Sequence, residues 1–202
     1  MTRIFFGGSF DPVHRGHLAM ADAAKKWVKP REFYWIPTWI SPHKLEVPPA
    51  AVEDRLALLQ CALQSRIGEE VLDLEIQRKG PSYTVDTLRT LQENAPNPKD
   101  YFILGGDSLE RLADWKDIGE IMRRVTFLIA PRGDWGPEME AGWRASLPED
   151  LNTLFQGQWL PMAPVAVSSH NLRAQLRQGE DVVLDFPEGV LDEIRSRRLY
   201  QS

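Results

Sequence analysis

The 202-residue sequence predicts an α/β fold: a Rossmann-like doubly wound parallel sheet with helices on both faces and further C-terminal helices. Three observations predict it. Strand and helix signals alternate along the chain. A short apolar run, Arg3 to Phe6, gives way to a helix-forming run, Leu18 to Trp27, through a turn dense in glycine and histidine. Polar residues suited to binding phosphate then recur after the carboxyl end of each predicted strand, and in an open parallel sheet those ends share the edge where ligands bind.

Composition bounds the function. With 43% hydrophobic and 26% charged residues, the chain is expected to form one globular domain over residues 1–202. No apolar run approaches the roughly 20 residues of a membrane span, and the N-terminus leads into a strand rather than a signal peptide. The single Cys61 has no internal partner for a disulfide, which predicts a reducing, cytoplasmic setting. A net charge of −5 argues against a broad nucleic-acid face, so any phosphate binding is local. There is no repeat or low-complexity tract. Of seven tryptophans most are expected to pack, while one on a pocket rim can stack on a flat ring. Assembly into a homo-oligomer is compatible with this composition.

The elements follow in order. Arg3 to Phe6 reads as the first strand, Gly16 to Val28 as its helix, and Glu32 to Ile36, aromatic and β-branched, as a second strand stopped by Pro37. A proline-rich loop carries Ser41 to Lys44, and the apolar spacing from Val52 to Leu63 is helical. Val71 to Ile76 alternates as a strand does. Val85 to Asn94 is the next helix, with Thr84 or Ser82 as its cap. Tyr101 to Leu104 is a buried strand, Leu109 to Met122 carries helical segments, and Val125 to Ala130 is another strand. Between Pro131 and Asn152 only Glu138 to Leu147 reads as an element, a surface helix. Trp159 to Val167 has strand-like pieces broken by Pro161 and Pro164, Ser168 opens a helix that Gly179 ends, and Pro187 opens a last helix to Arg198.

The turn from Gly7 to Leu18 holds the densest chemistry. Gly7 and Gly8 allow close backbone approach to a ligand, with Ser9 and Phe10 following. His14 and His17, three residues apart, project from one face of a first helical turn that begins near Val13. Such a turn attracts phosphate through unpaired N–H groups and the helix dipole, and a bound anion favours protonated imidazole. No metal site is expected, because the His-x-x-His pair has no cysteine cluster and only Asp11 nearby. Lys44, Tyr83, Thr84, Asp107, Arg132 and the cluster Ser168 to Arg173 follow later strands and converge on the same edge.

Seven of the ten positions from Gly8 to His17 (Gly8, Phe10, Asp11, Pro12, His14, Gly16, His17) match a pattern that resembles the nucleotidyltransferase superfamily signature. Pro42 to Lys44, Gly80 to Thr84 with Asp86 to Leu88, Gly105 to Leu109 with Trp115, and Leu199-Tyr200 narrow the resemblance to the bacterial nicotinate-nucleotide adenylyltransferases. It spans nearly the whole chain. The resemblance implies adenylyl transfer from ATP to nicotinate mononucleotide in NAD synthesis, giving nicotinate adenine dinucleotide and pyrophosphate. ATP would meet Gly7, Gly8, Ser9, Phe10, His14, His17, Ser168, Ser169 and Arg173, with Asp107 on a ribose and Mg²⁺ arriving on the nucleotide. His14, His17, Lys44 and Arg173 would serve the transfer itself. Tyr83, Thr84, Trp115, Arg132 and Lys44 would surround the nicotinate nucleotide, Trp115 stacking on its ring.

Structural alternatives stand beside these roles. Lys44 and Arg173 also suit a solvated surface, Trp115 a core, and Asp107 and Ser168 helix caps. Three positions depart from the family pattern. His170 stands where a threonine is usual, Leu172 where isoleucine is common, and Gly133 where proline usually follows the arginine. Two rival functions are an adenylyltransferase preferring nicotinamide mononucleotide or another phosphorylated acceptor, and a non-catalytic nucleotide-binding regulator with a damaged polyphosphate site.

Overall fold

The computed structural model describes residues 2–42, 49–93 and 99–201. In chain order the elements are β1 (Thr2–Gly8), α1 (Arg15–Val28), β2 (Glu32–Pro37), α2 (Val52–Leu63), β3 (Glu69–Val71), α3 (Leu74–Arg78) and α4 (Thr84–Gln92). Then come β4 (Lys99–Gly105), a 3-10 helix (Gly106–Asp114), α5 (Ile118–Arg124) and β5 (Thr126–Ala130). A short 3-10 turn (Pro137–Met139) leads to α6 (Glu140–Ser146), α7 (Glu149–Leu154) and β6 (Gly157–Trp159). After α8 (Ser169–Gln178) and a 3-10 turn (Val183–Asp185), α9 (Val190–Ser196) closes the set.

The strands form one parallel sheet in the order β3-β2-β1-β4-β5-β6. This is the doubly wound arrangement, and the direction of winding reverses between β1 and β4. Because side chains alternate along a strand, the continuous apolar run of β1 serves two layers. Ile4 and Phe6 pack with Phe33, Trp35 and the apolar residues of α1, α2, α8 and α9. Phe5 points the other way, into a layer with Phe102, Leu104, Phe127, α4, α5 and Trp143 of α6. Burying each such side chain contributes about 1.5–3 kcal/mol, so the two helical layers hold the strand ends in fixed register.

Four element expectations need correction. The strand expected over Val71–Ile76 stops at Val71 and turns into α3. Among the described residues its partner is β2; after the Leu72 N–H donates to the Trp35 carbonyl at 2.8 Å, the next rung would need an N–H from Pro37, which proline lacks, and the Gln77 N–H closes a helical turn on Asp73. Neither Thr84 nor Ser82 caps α4. Tyr83 occupies that position, and the Ser82 hydroxyl accepts from the Trp39 N–H at 2.9 Å instead. The segment expected as a surface helix is a 3-10 turn followed by α6, and it is not all surface: Trp143 is buried and its indole donates to the Leu109 carbonyl at 2.8 Å. Pro187 does not open the last helix, which begins after Gly189. By contrast Ser168 does cap α8, accepting from the Asn171 N–H at 3.2 Å, and Gly179 ends it with φ 70°.

Candidate active site

A cavity of ≈ 690 Å³ opens at the carboxyl edge of the sheet, where β1 and β4 diverge. Gly7, Gly8, Ser9 and Phe10 form one wall. The glycines are needed for closeness: a Cβ on Gly7 would sit 2.9 Å from the Phe102 ring, and one on Gly8 3.1 Å from the Phe10 ring. His17, Ser168, Ser169 and His170 line the same end, and Tyr83, Thr84, Asp107, Trp115 and Arg132 line the rest. Five separate loops therefore supply one site. Lys44 lies outside the described residues.

The two histidines divide their work. His14 is the N-cap of α1 rather than part of its first turn, and its N–H donates to His17 Nδ1 at 3.2 Å, so the His17 proton resides on Nε2. The rings stack with centroids 3.8 Å apart. His17 faces the cavity, while His14, only 1% exposed, lies beneath it and does not line it. Neither His14 ring nitrogen has a hydrogen-bond partner among the described residues. Burial, with a further push from Arg132, lowers its pKa to about 3, so in the unliganded protein His14 is neutral rather than cationic.

Arg173 does not line the cavity either. Its Nη1 donates to the Asp11 carbonyl at 2.6 Å and lies 3.5 Å from the Asp11 carboxylate. The Ser169 hydroxyl donates to the Pro12 carbonyl at 3.0 Å, so α8 grips the loop after β1 twice. Elsewhere in the lining Arg132 pairs with Asp107 at 3.6 Å, and Lys116 sits 4.6 Å above the Tyr83 ring. Trp115 is both core and rim: it meets Phe102 edge-on at 6.2 Å and faces the cavity. Arg132 and Trp135 exchange both backbone hydrogen bonds at 3.0 Å around a two-residue turn in which Gly133 has φ 57°. A proline, held near φ −65°, does not fit there, so the Gly133 departure reflects a tight hairpin that carries Arg132.

A family model described as cytidylyltransferase-like matches residues 5–175. A probable nicotinate-nucleotide adenylyltransferase of Synechococcus sp. (strain JA-2-3B'a(2-13)) is 37% identical over 196 residues, covering 96% of this chain and 94% of the relative. One from Geobacillus kaustophilus (strain HTA426) is 34% identical, covering 96% and 84%. The chain belongs to the nicotinate-nucleotide adenylyltransferase family. It is an enzyme, a nucleotidyltransferase. The fold also matches that of the Plasmodium falciparum nicotinic acid mononucleotide adenylyltransferase solved with APC, at TM-score 0.78 and 20% identity, covering 98% of this chain and 96% of that one.

Several residues that frame this family's cavity here were not evident beforehand. Arg111 and Lys116 add cations to its rim, and Glu75 forms part of its floor. Glu75 is buried, one oxygen accepts from the Thr87 hydroxyl and the other has no hydrogen-bond partner among the described residues; burial pushes its pKa up. Arg55, fully buried on α2, donates to the carbonyls of Ser9 at 2.8 Å, Ala50 at 3.0 Å and Trp39 at 3.1 Å, fixing the glycine wall from behind. No side-chain pattern announces partners that are backbone carbonyls.

Proposed function

We propose that this cavity joins the adenylyl group of ATP to nicotinate mononucleotide, releasing pyrophosphate and supplying a dinucleotide for NAD synthesis. The observation that carries the reading is a single cavity lined by two chemically different sets of residues. One set, backbone N–H groups, His17 and the serines at the start of α8, suits a polyphosphate. The other, Tyr83, Thr84 and Trp115, an aromatic face beside the first N–H groups of α4, suits a flat ring bearing a carboxylate.

The acceptor phosphate oxygen attacks the α-phosphorus in line as the bond to pyrophosphate breaks, so the protein's task is positioning and charge stabilisation. His17 Nε2–H donates to the phosphates where charge grows. His14 stays neutral beneath it and fixes its tautomer through the N–H bond to Nδ1. Arg173 and Lys44 serve as cations for the leaving group and the transferring group, and Asp107 and Arg132 bracket the nucleotides. Among the described residues no cluster of His, Cys, Asp or Glu is placed to hold a metal ion. Imidazole and N–H donors suit phosphate oxygens rather than a metal ion, so Mg²⁺ would be held by the nucleotide's own phosphate oxygens and would supply charge neutralisation there. A cytoplasmic setting suits these substrates and the free Cys61; among the described residues no helix is long and apolar enough to cross a membrane.

Pyrophosphate release with Mg²⁺-ATP, compared across nicotinate mononucleotide, nicotinamide mononucleotide and phosphopantetheine, tests the reading. Fast release with the nicotinate form alone is expected. Preference for the nicotinamide form would keep the chemistry and overturn the role of Tyr83 and Thr84, and ATP binding without release would favour a regulatory binding protein.

A further inference from the structure

Asp11, within the glycine-histidine turn, is held from three distant parts of the chain. It is only 5% exposed. Its Oδ1 accepts from the Ala50 N–H at 3.2 Å and from the Tyr200 hydroxyl at 2.7 Å, while Oδ2 lies 3.5 Å from Arg173 Nη1. Tyr200 reaches it because the chain reverses after α9: Arg198 and Tyr200 both take left-handed backbone conformations, φ 54° and 61°, and the Leu199 N–H returns to the Ile194 carbonyl at 3.0 Å. Leu199 and Tyr200 pack against the core, and Arg197 ties α9 to Asp54 of α2 at 3.0 Å, one residue before the Arg55 that holds Ser9.

We propose that Tyr200 is a positioning residue for the transfer reaction, acting through Asp11 so that the Arg173 guanidinium, which does not line the cavity in this structure, is tethered by Nη1 alone and can turn its remaining nitrogens toward the ATP polyphosphate. The proposal rests on the reading that Arg173 serves the leaving group. A desolvated carboxylate takes every donor within reach. With the phenol on Oδ1, Arg173 meets Asp11 through one nitrogen, at the carbonyl and the edge of the carboxylate. Without the phenol, Oδ1 and Oδ2 together accept the bidentate fork that arginine prefers, and the guanidinium is held back from the phosphates. Tyr200 stays a donor throughout the working range, since burial and the Asp11 charge push its pKa up.

Binding of ATP and AMP to wild type, Tyr200→Phe, Arg173→Ala and the double variant tests this, with unfolding temperature followed alongside. Tyr200→Phe is expected to weaken ATP binding about five- to tenfold, the worth of one hydrogen bond in such a network, and leave AMP binding unchanged. In the Arg173→Ala background the same change is expected to add nothing, because the two act as one unit. Unchanged ATP affinity, equal losses for ATP and AMP, or multiplying losses in the double variant would each overturn the proposal. If Tyr200→Phe melts near assay temperature, the measurement is made in the cold, where wild-type ATP affinity again overturns it. None of these arms needs an acceptor, so failure of pyrophosphate release with nicotinate mononucleotide counts against the proposed reaction and not against this coupling.

Discussion

At the scale of single residues, His17 carries the clearest kinetic consequence. It lines the cavity with its Nδ1 occupied by the His14 N–H, so Nε2–H is the donor aimed at developing charge. His17→Ala is expected to lower kcat by about 10²- to 10³-fold, the usual cost of one transition-state donor, in steady-state pyrophosphate assays. Trp115→Ala is expected to raise KM for the pyridine nucleotide by about tenfold and leave KM for ATP within twofold, as loss of one stacked ring implies; equal effects on both would mark the tryptophan as packing alone. Both residues were expected at the cavity they line, on different grounds: His17 from its spacing in the turn that starts the first helix, Trp115 only from what the family resemblance implies. Arg55, Glu75 and Asp11 were not, as sites, since arginine within a helix reads as exposed, and a carboxylate's partners 39 to 189 residues away leave no local trace.

At the scale of elements, the central strands and the two ends of α8 were readable because their causes are local: β-branched and aromatic runs, Pro37, the Ser168 hydroxyl, Gly179; the starts of α4 and α9 were not. The edges were not. β3 ends where the next rung of its ladder falls on Pro37 of β2, a tertiary fact that the alternation Leu72, Leu74, Ile76 cannot report, and α7 fell in a stretch whose pattern gave no period. The hairpin from Arg132 to Trp135 lies between these cases. Its glycine was visible, but the turn follows from φ 57° and from two backbone hydrogen bonds. Gly133→Pro would remove the turn and release the Arg132 pairing with Asp107. It is expected to destabilise the protein by more than about 1 kcal/mol in urea denaturation and to weaken nucleotide binding; wild-type values for both would show that this hairpin does not set the wall of the site.

At the scale of the whole molecule, both faces of the sheet are covered, and the loop after β1 is enclosed between α1, α2 and α8, which is how a polar imidazole comes to lie 1% exposed. That enclosure makes stability depend on pH. The His14 pKa falls from 6.5 when unfolded to about 3 when folded, so between those values the unfolded chain binds the extra proton. The contribution is fully present above pH 6.5 and is lost as pH falls toward 3, with a slope of up to about 1.4 kcal/mol per pH unit. The Glu69 carboxylate acts lower. Burial there opposes the charge, but donors from Arg66, Lys25 and Trp35 outweigh it and leave the pKa below 4.5, so its contribution is lost only as pH falls below that value. Glu75 works the other way: burial raises its pKa, so its contribution grows as pH falls through that raised value. In urea titrations between pH 5 and 8 the two carboxylates are common to both proteins, so the unfolding free energy of wild type is expected to fall toward acid relative to that of His14→Gln, which stays neutral, with slopes differing by up to about one proton. An equal slope in wild type and variant would mean that His14 accepts its proton without leaving the fold, and that the loop opens to water more readily than its enclosure implies.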